Sequence, residues 1–129
     1  ARLYGWINRL LPLIYLPFFY PRKAKPQKWQ NAKTCNIACW RDDLLKINGL
    51  DESFTGWGYE DSDLVIRLIR AGVLRKEGRF AVPVLHLHHA ERDRSREQVN
   101  LDKLQATLDS NHTEAKQGLK QYFLGGTHG

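Results

Sequence analysis

The stretch Gly56-Trp57-Gly58-Tyr59-Glu60-Asp61-Ser62-Asp63 puts three carboxylates beside an indole and two glycines. Gly56 and Gly58 let the backbone bend and let a ligand come close to it. Trp57 offers a flat apolar face of the kind that suits the C–H face of a sugar ring. Glu60 and Asp61 stand where a helical pattern begins. Free N–H groups and the helix dipole favour an ionised carboxylate at that position. Such a carboxylate, once fixed, takes a proton from a substrate hydroxyl. Its neighbour holds a second hydroxyl by accepting a hydrogen bond. The plain alternative is that Asp61 is an N-cap, with Glu60 and Asp63 decorating the first helical turn.

A second group is His86, His88 and His89 in LHLHHAE. On a strand, 86 and 88 share a face and 89 points away. Closely spaced imidazoles bind Zn²⁺ or another divalent metal, but a structural zinc site wants four ligands. Cys35 and Cys39 lack the usual knuckle spacing, and neither is given a catalytic role. His88 and His89 are read as packing or hydrogen-bonding residues.

The elements that must position these groups follow from the pattern around them. Residues 34–40 read as a short strand or buried turn. RDDLLKI (41–47) reads as a short helix closed by Asn48-Gly49, which tolerate left-handed backbone. A helix is expected from about Asp61 to Ala71, with Val65, Leu68 and Ile69 on one face, Leu64 beside them, and Gly72 as its stop. Strand candidates lie near Arg75–Phe80 and Val82–Leu87, with Pro83 favouring an edge. From Asp93 to Phe123 the pattern is helical in two pieces, the second opened by an Asn111/Glu114 capping pair. The expected class is α/β, or α+β within this chain. Three regions are expected: an apolar and basic segment at 1–33, a central unit at 34–92, and a helical extension at 93–129.

Charge separates the first region from the rest. Of the net +6, residues 1–41 carry eight Lys/Arg and no acid, whereas 42–129 carry twelve bases and fourteen acids. Aromatic residues at 3–20 beside Arg22, Lys23, Lys25 and Lys28 suit an anionic membrane surface, each base contributing about 1 kcal/mol. Packing on a larger protein is the alternative. The rest of the chain is nearly neutral and locally acidic, which argues against a nucleic-acid partner. With 42% hydrophobic and 26% charged residues, the balance excludes disorder throughout, collagen and a disulfide scaffold. Two cysteines and no secretory signal pattern point to a reduced, cytoplasmic setting, peripheral to the inner membrane where residues 1–33 touch lipid. The chain opens on Ala1 and has no Met, so a piece of a longer protein is expected.

Asn36 to His89 resembles the C-terminal half of GT-A glycosyltransferases, as in family 2 and the galactosyltransferase C-terminal domain. The resemblance is carried by Cys35-Asn36-Ile37-Ala38, Arg41-Asp42-Asp43, Ile47 through Phe54, Trp57 through Leu64, Arg67-Leu68, Ala71-Gly72 and Val84-Leu85-His86. The order and spacing of Asn-Gly-x-Asp-Glu-x-Phe and Trp-Gly-x-Glu-Asp give it its specificity. The resemblance implies that Asp61 is the catalytic base, and that Glu60, Trp57 and Gly58 bind the acceptor. It also implies that His86 is a metal ligand, and that Asp51 and Glu52 form a structural turn. It implies a divalent metal, Mn²⁺ or Mg²⁺, a UDP-sugar donor, and a saccharide or glycolipid acceptor. Among such enzymes the pattern looks most like bacterial transferases of lipopolysaccharide or surface polysaccharide, which invert the anomeric centre.

A nucleotide-binding half would carry an Asp-x-Asp after an early strand. Here the sole Asp-x-Asp is Asp61-Ser62-Asp63, and no Gly-rich phosphate loop occurs. The chain is therefore expected to bind nucleotide sugar weakly and not to turn over by itself, and to dimerise through the face that the missing half would cover. The competing reading is a non-enzymatic module that binds membrane or nucleic acid through residues 1–33. It accounts for the charge split and leaves Trp-Gly-x-Glu-Asp unexplained.

Overall fold

The computed structural model describes residues 27–76, 78 and 93–124. Helix α1 is Arg41–Lys46, α2 is Glu60–Arg70, α3 is Glu97–Asp109 and α4 is Lys120–Leu124. In α1, Asp42 and Asp43 lie in the first turn and Lys46 in the last, the charge order that the helix dipole favours. The helix ends as its sequence predicts. Asn48 and Gly49 take φ of 62° and 73°, and their N–H groups donate to Leu45 O (3.0 Å) and Leu44 O (2.8 Å). This is a Schellman close, which satisfies carbonyls the helix would otherwise leave bare. The same close recurs after α2, where Gly72 donates to Ile69 O and Val73 to Leu68 O, each at 3.0 Å.

Ile47, Leu64 and Leu68 form the buried core, with Leu44, Ala71 and Val73 packed against it. Two turns of α2 thus pack on the end of α1. Val65 is buried as the 3–4 spacing predicts, whereas Ile69 is half-buried. Helix α3 packs on α2, and its buried residues are Asn100, Leu104 and Thr107. Arg70 ties the far ends together. Its guanidinium donates to Thr107 O (2.8 Å), Leu108 O (3.2 Å) and His112 O (3.3 Å), placing a cation at the negative end of α3.

The segment after α3 docks on the loop after α1. Ala115 N donates to Ile47 O (2.9 Å), Lys116 N to Asp51 Oδ2 (3.0 Å) and Leu119 N to Asn48 O (3.0 Å), while Glu52 N donates to Gln117 O (2.8 Å). Asn48 completes the clip, giving Nδ2 to Ala115 O (2.8 Å) and receiving Lys120 N at Oδ1 (2.7 Å). Gly118 sits in this clip, and a Cβ there would lie 1.9 Å from Asn48 O. Gly118→Ala is therefore expected to cost about 1–3 kcal/mol by overpacking, read as a lower urea midpoint.

Asp51 is the acid of the same clip. Burial pushes its carboxyl up, but hydrogen bonds from Ser53 and Lys116 and the charge of Arg67 outweigh that, and it titrates below the ordinary 3.8. Its contribution to stability is therefore intact above pH 3.8 and is lost as pH falls through the lower folded value. Asp51→Asn is expected to flatten that acid limb in unfolding measured against pH.

Three expectations change. Residues 34–40 hold no strand and no buried turn: Thr34–Asn36 is a 3-10 turn with no buried residue, closed by Asn36 N to Lys33 O at 2.9 Å. Asn111 and Glu114 open no helix. The amides that would continue one, at 115, 116 and 119, are bound to Ile47, Asp51 and Asn48, and Glu114 pairs with Lys120 instead. Among the described residues every regular element is helical and none is a strand, so the α/β class is not seen in them. Arg75, Lys76 and Gly78, the described part of the first strand candidate, hold no regular element. The rest of it, the candidate at 82–87 and residues 1–26 lie outside the described residues. Among the described residues no helix is long and apolar enough to cross a membrane.

Candidate functional site

The Trp57 turn is held from two sides. Tyr59 takes φ 70° just before α2, and Gly58 N–H donates to Glu60 Oε2 at 3.0 Å. The acid at 60 thereby closes the turn that precedes it. From α3, Asn100 Nδ2 donates to Thr55 O (3.1 Å) and Trp57 O (3.3 Å). The Arg94 guanidinium lies 4.4 Å from the Trp57 ring centroid, within cation–π range. The turn therefore presents its indole with Arg94 over one face, and Trp57 remains 37% exposed.

The three carboxylates of Glu60-Asp61-Ser62-Asp63 have different fates. Glu60 is bound to Gly58. Asp63 is buried: Oδ2 accepts Arg67 Nε at 2.8 Å and Oδ1 accepts Thr107 Oγ1 at 2.8 Å. Arg67 Nη2 also lies 2.8 Å from Oδ2, as an ion-pair contact without hydrogen-bond alignment. Arg67 Nη1 donates to Ile47 O (2.8 Å) and Gly49 O (2.7 Å). Asp63 and Arg67 thus belong to the scaffold. Asp61 differs from both. It is half-buried at the start of α2, and its Oδ1 is buried with no hydrogen-bond partner. Of the three acids, Asp61 is the one whose carboxylate has a buried oxygen without a hydrogen-bond partner among the described residues.

Neither of the two best-formed cavities among the described residues is lined by Trp57, Glu60 or Asp61. One of about 410 Å³ lies between Trp29, Ile66, Ile69 and Leu108, and a small one of about 70 Å³ lies beside Asp51 and His112. His86, His88 and His89 lie outside the described residues. Among the described residues no three His, Cys, Asp or Glu side chains converge on a point where a metal would sit. Of the described acids, Asp63 is already bonded to Arg67 and Thr107, and His86, the ligand that the resemblance implies for Mn²⁺ or Mg²⁺, lies outside the described residues. Cys35 and Cys39 are exposed thiols.

Asp51 and Glu52 form the structural turn that the sequence suggested. Asp51 Oδ1 accepts Ser53 N at 2.9 Å. The Glu52 carboxylate accepts Gln121 Nε2 and Tyr122 Oη, each at 2.7 Å. Sequence reasoning passed over Asn100 and Thr107, and named Arg67 only within the resemblance. One signal was present: Asn100, Leu104 and Thr107 repeat at helical spacing, so α3 carries polar groups along a face that should be apolar.

A family profile described as the N-terminal domain of galactosyltransferase matches residues 20–90, just over half of the chain. The chain belongs to that family. The matched span holds the Trp57 turn, all three acids and His86. It supports a glycosyltransferase-like domain and does not single out the C-terminal half of a GT-A enzyme. No solved structure matches the chain. Helices α3 and α4 lie beyond the matched span.

Proposed function

We propose that this chain supplies the acceptor side of an inverting glycosyltransferase. The enzyme moves a sugar from a UDP-sugar to a hydroxyl of a saccharide or glycolipid, in bacterial lipopolysaccharide or surface polysaccharide synthesis. The observation that carries the reading is the uncommitted Asp61 carboxylate oxygen, beside the Trp57-Gly58 turn in a chain of the galactosyltransferase family. Asp61 removes the acceptor proton. The acceptor oxygen bonds to the anomeric carbon as the bond from that carbon to the diphosphate breaks, and the nucleoside diphosphate leaves with the bonding pair. One displacement inverts the centre. Gly58 and the exposed part of Trp57 border the acceptor, and Glu60 holds Gly58 in place. His86 and a divalent ion belong to this proposal as the family's expected aid to the leaving group, as does contact of residues 1–33 with an anionic membrane. The donor half lies elsewhere in the complete enzyme.

The test is transfer from labelled UDP-galactose and UDP-glucose by the complete enzyme to a panel of simple glycosides, with the product anomer read by NMR. An inverted product supports the reading, and a retained configuration overturns the single displacement.

A further inference from the structure

The family match ends at residue 90, yet the Trp57 turn is completed from beyond it. Asn100 is fully buried on α3. Its amide donates to the carbonyls of both Thr55 and Trp57, which leaves no N–H of that amide for another partner. Its Oδ1 is buried with no partner. An apolar side chain would avoid the desolvation cost that this oxygen carries, so packing alone gives no reason for an amide here. The two carbonyls do. They bracket Gly56, whose missing Cβ would meet the Arg96 side chain at 3.6 Å. Arg94, one turn before α3, lies over the indole. Asn100 on α3 therefore grips the turn at its backbone, and Arg94 just before α3 meets it at its ring. The next link is Gly58 N–H to Glu60, one residue before Asp61.

We propose that Asn100 is a positioning residue of the acceptor site. Through Thr55 O and Trp57 O it sets where the Trp57 ring and the Gly58 amide stand relative to Asp61. Helix α3 is thus part of the site and not an appendage to the family domain. The proposal rests on the acceptor reading of the turn. It concerns a bond network that is observable without any sugar.

The full chain labelled with 5-fluorotryptophan reports on four indoles, at 6, 29, 40 and 57, and Trp57→Phe assigns the Trp57 signal. Asn100→Asp keeps the shape, removes both donors and sets a carboxylate against two carbonyls. The expected result is a Trp57 resonance displaced by more than its linewidth, with the Trp29 and Trp40 signals and the far-ultraviolet circular dichroism unchanged. A Trp57 resonance at its original position overturns the proposal. Should the variant fail to fold, the wild-type side-chain amide of Asn100 decides. Slow hydrogen exchange supports the two bonds, and exchange at the solvent rate overturns them. The two readings separate cleanly. Transfer lost in Asp61→Asn with Trp57 unmoved in Asn100→Asp removes this proposal alone. Trp57 moved, with Asp61→Asn at full rate, removes the acceptor reading and leaves the tether standing.

Discussion

Asp61→Asn in the complete enzyme is expected to lower the transfer rate by about 10²–10⁴-fold, the contribution of a general base. The unfolding midpoint of the variant should stay at the wild-type value. The reason is local. Asp61 Oδ1 makes no hydrogen bond among the described residues, so no bond to that oxygen is lost in the amide. An amide at 61 keeps the shape but takes up no proton, so the loss should appear in kcat. Asp63→Asn is the matched control two residues away. Its carboxylate is bonded to Arg67 and Thr107, and its replacement should lower the midpoint first. A rate unchanged in Asp61→Asn would remove the assignment of the base and leave the family membership untouched.

Arg67→Met is expected to have the largest effect on stability, about 3–5 kcal/mol. Arg67 has no exposed surface. Removing it leaves the Asp63 carboxylate buried with Thr107 as its hydrogen-bonding neighbour. It also strips the donor from the carbonyls of Ile47 and Gly49, which belong to the loop that closes α1. A domain of this size has about 5–15 kcal/mol in all, so the variant should lose most of its margin. The check is chemical unfolding followed by circular dichroism. Adding Asp63→Leu should recover part of the loss, because an apolar pair is often as stable as a buried ion pair. Recovery should stop short of wild type, since the two carbonyls and the Thr107 hydroxyl still lack partners. Full recovery would show that the bonds to Ile47 and Gly49 contribute nothing.

The sequence by itself determined the local closures and the chemical class. Asn48-Gly49 and Gly72 stop their helices where left-handed backbone is needed, and that preference is a property of the residues alone. Leu64, Val65 and Leu68 define a buried face because helical spacing is local geometry. The Trp-Gly-x-Glu-Asp order, read as a glycosyltransferase signature, agrees with the family found over residues 20–90. The tertiary structure decided which acid is bonded to what. Glu60, Asp61 and Asp63 are near-equivalent as letters. They part because Gly58 bonds one, because Arg67 and Thr107 bond another, and because Asp61 Oδ1 meets no donor. Thr107 lies 44 positions from Asp63 and Asn100 lies 43 from Trp57, distances at which no local pattern in the chain can report a contact. The misplaced helix start at Asn111 has the same origin. A capping pair is a local preference worth about 1 kcal/mol, and it yields when several backbone amides of the segment find partners on another part of the fold.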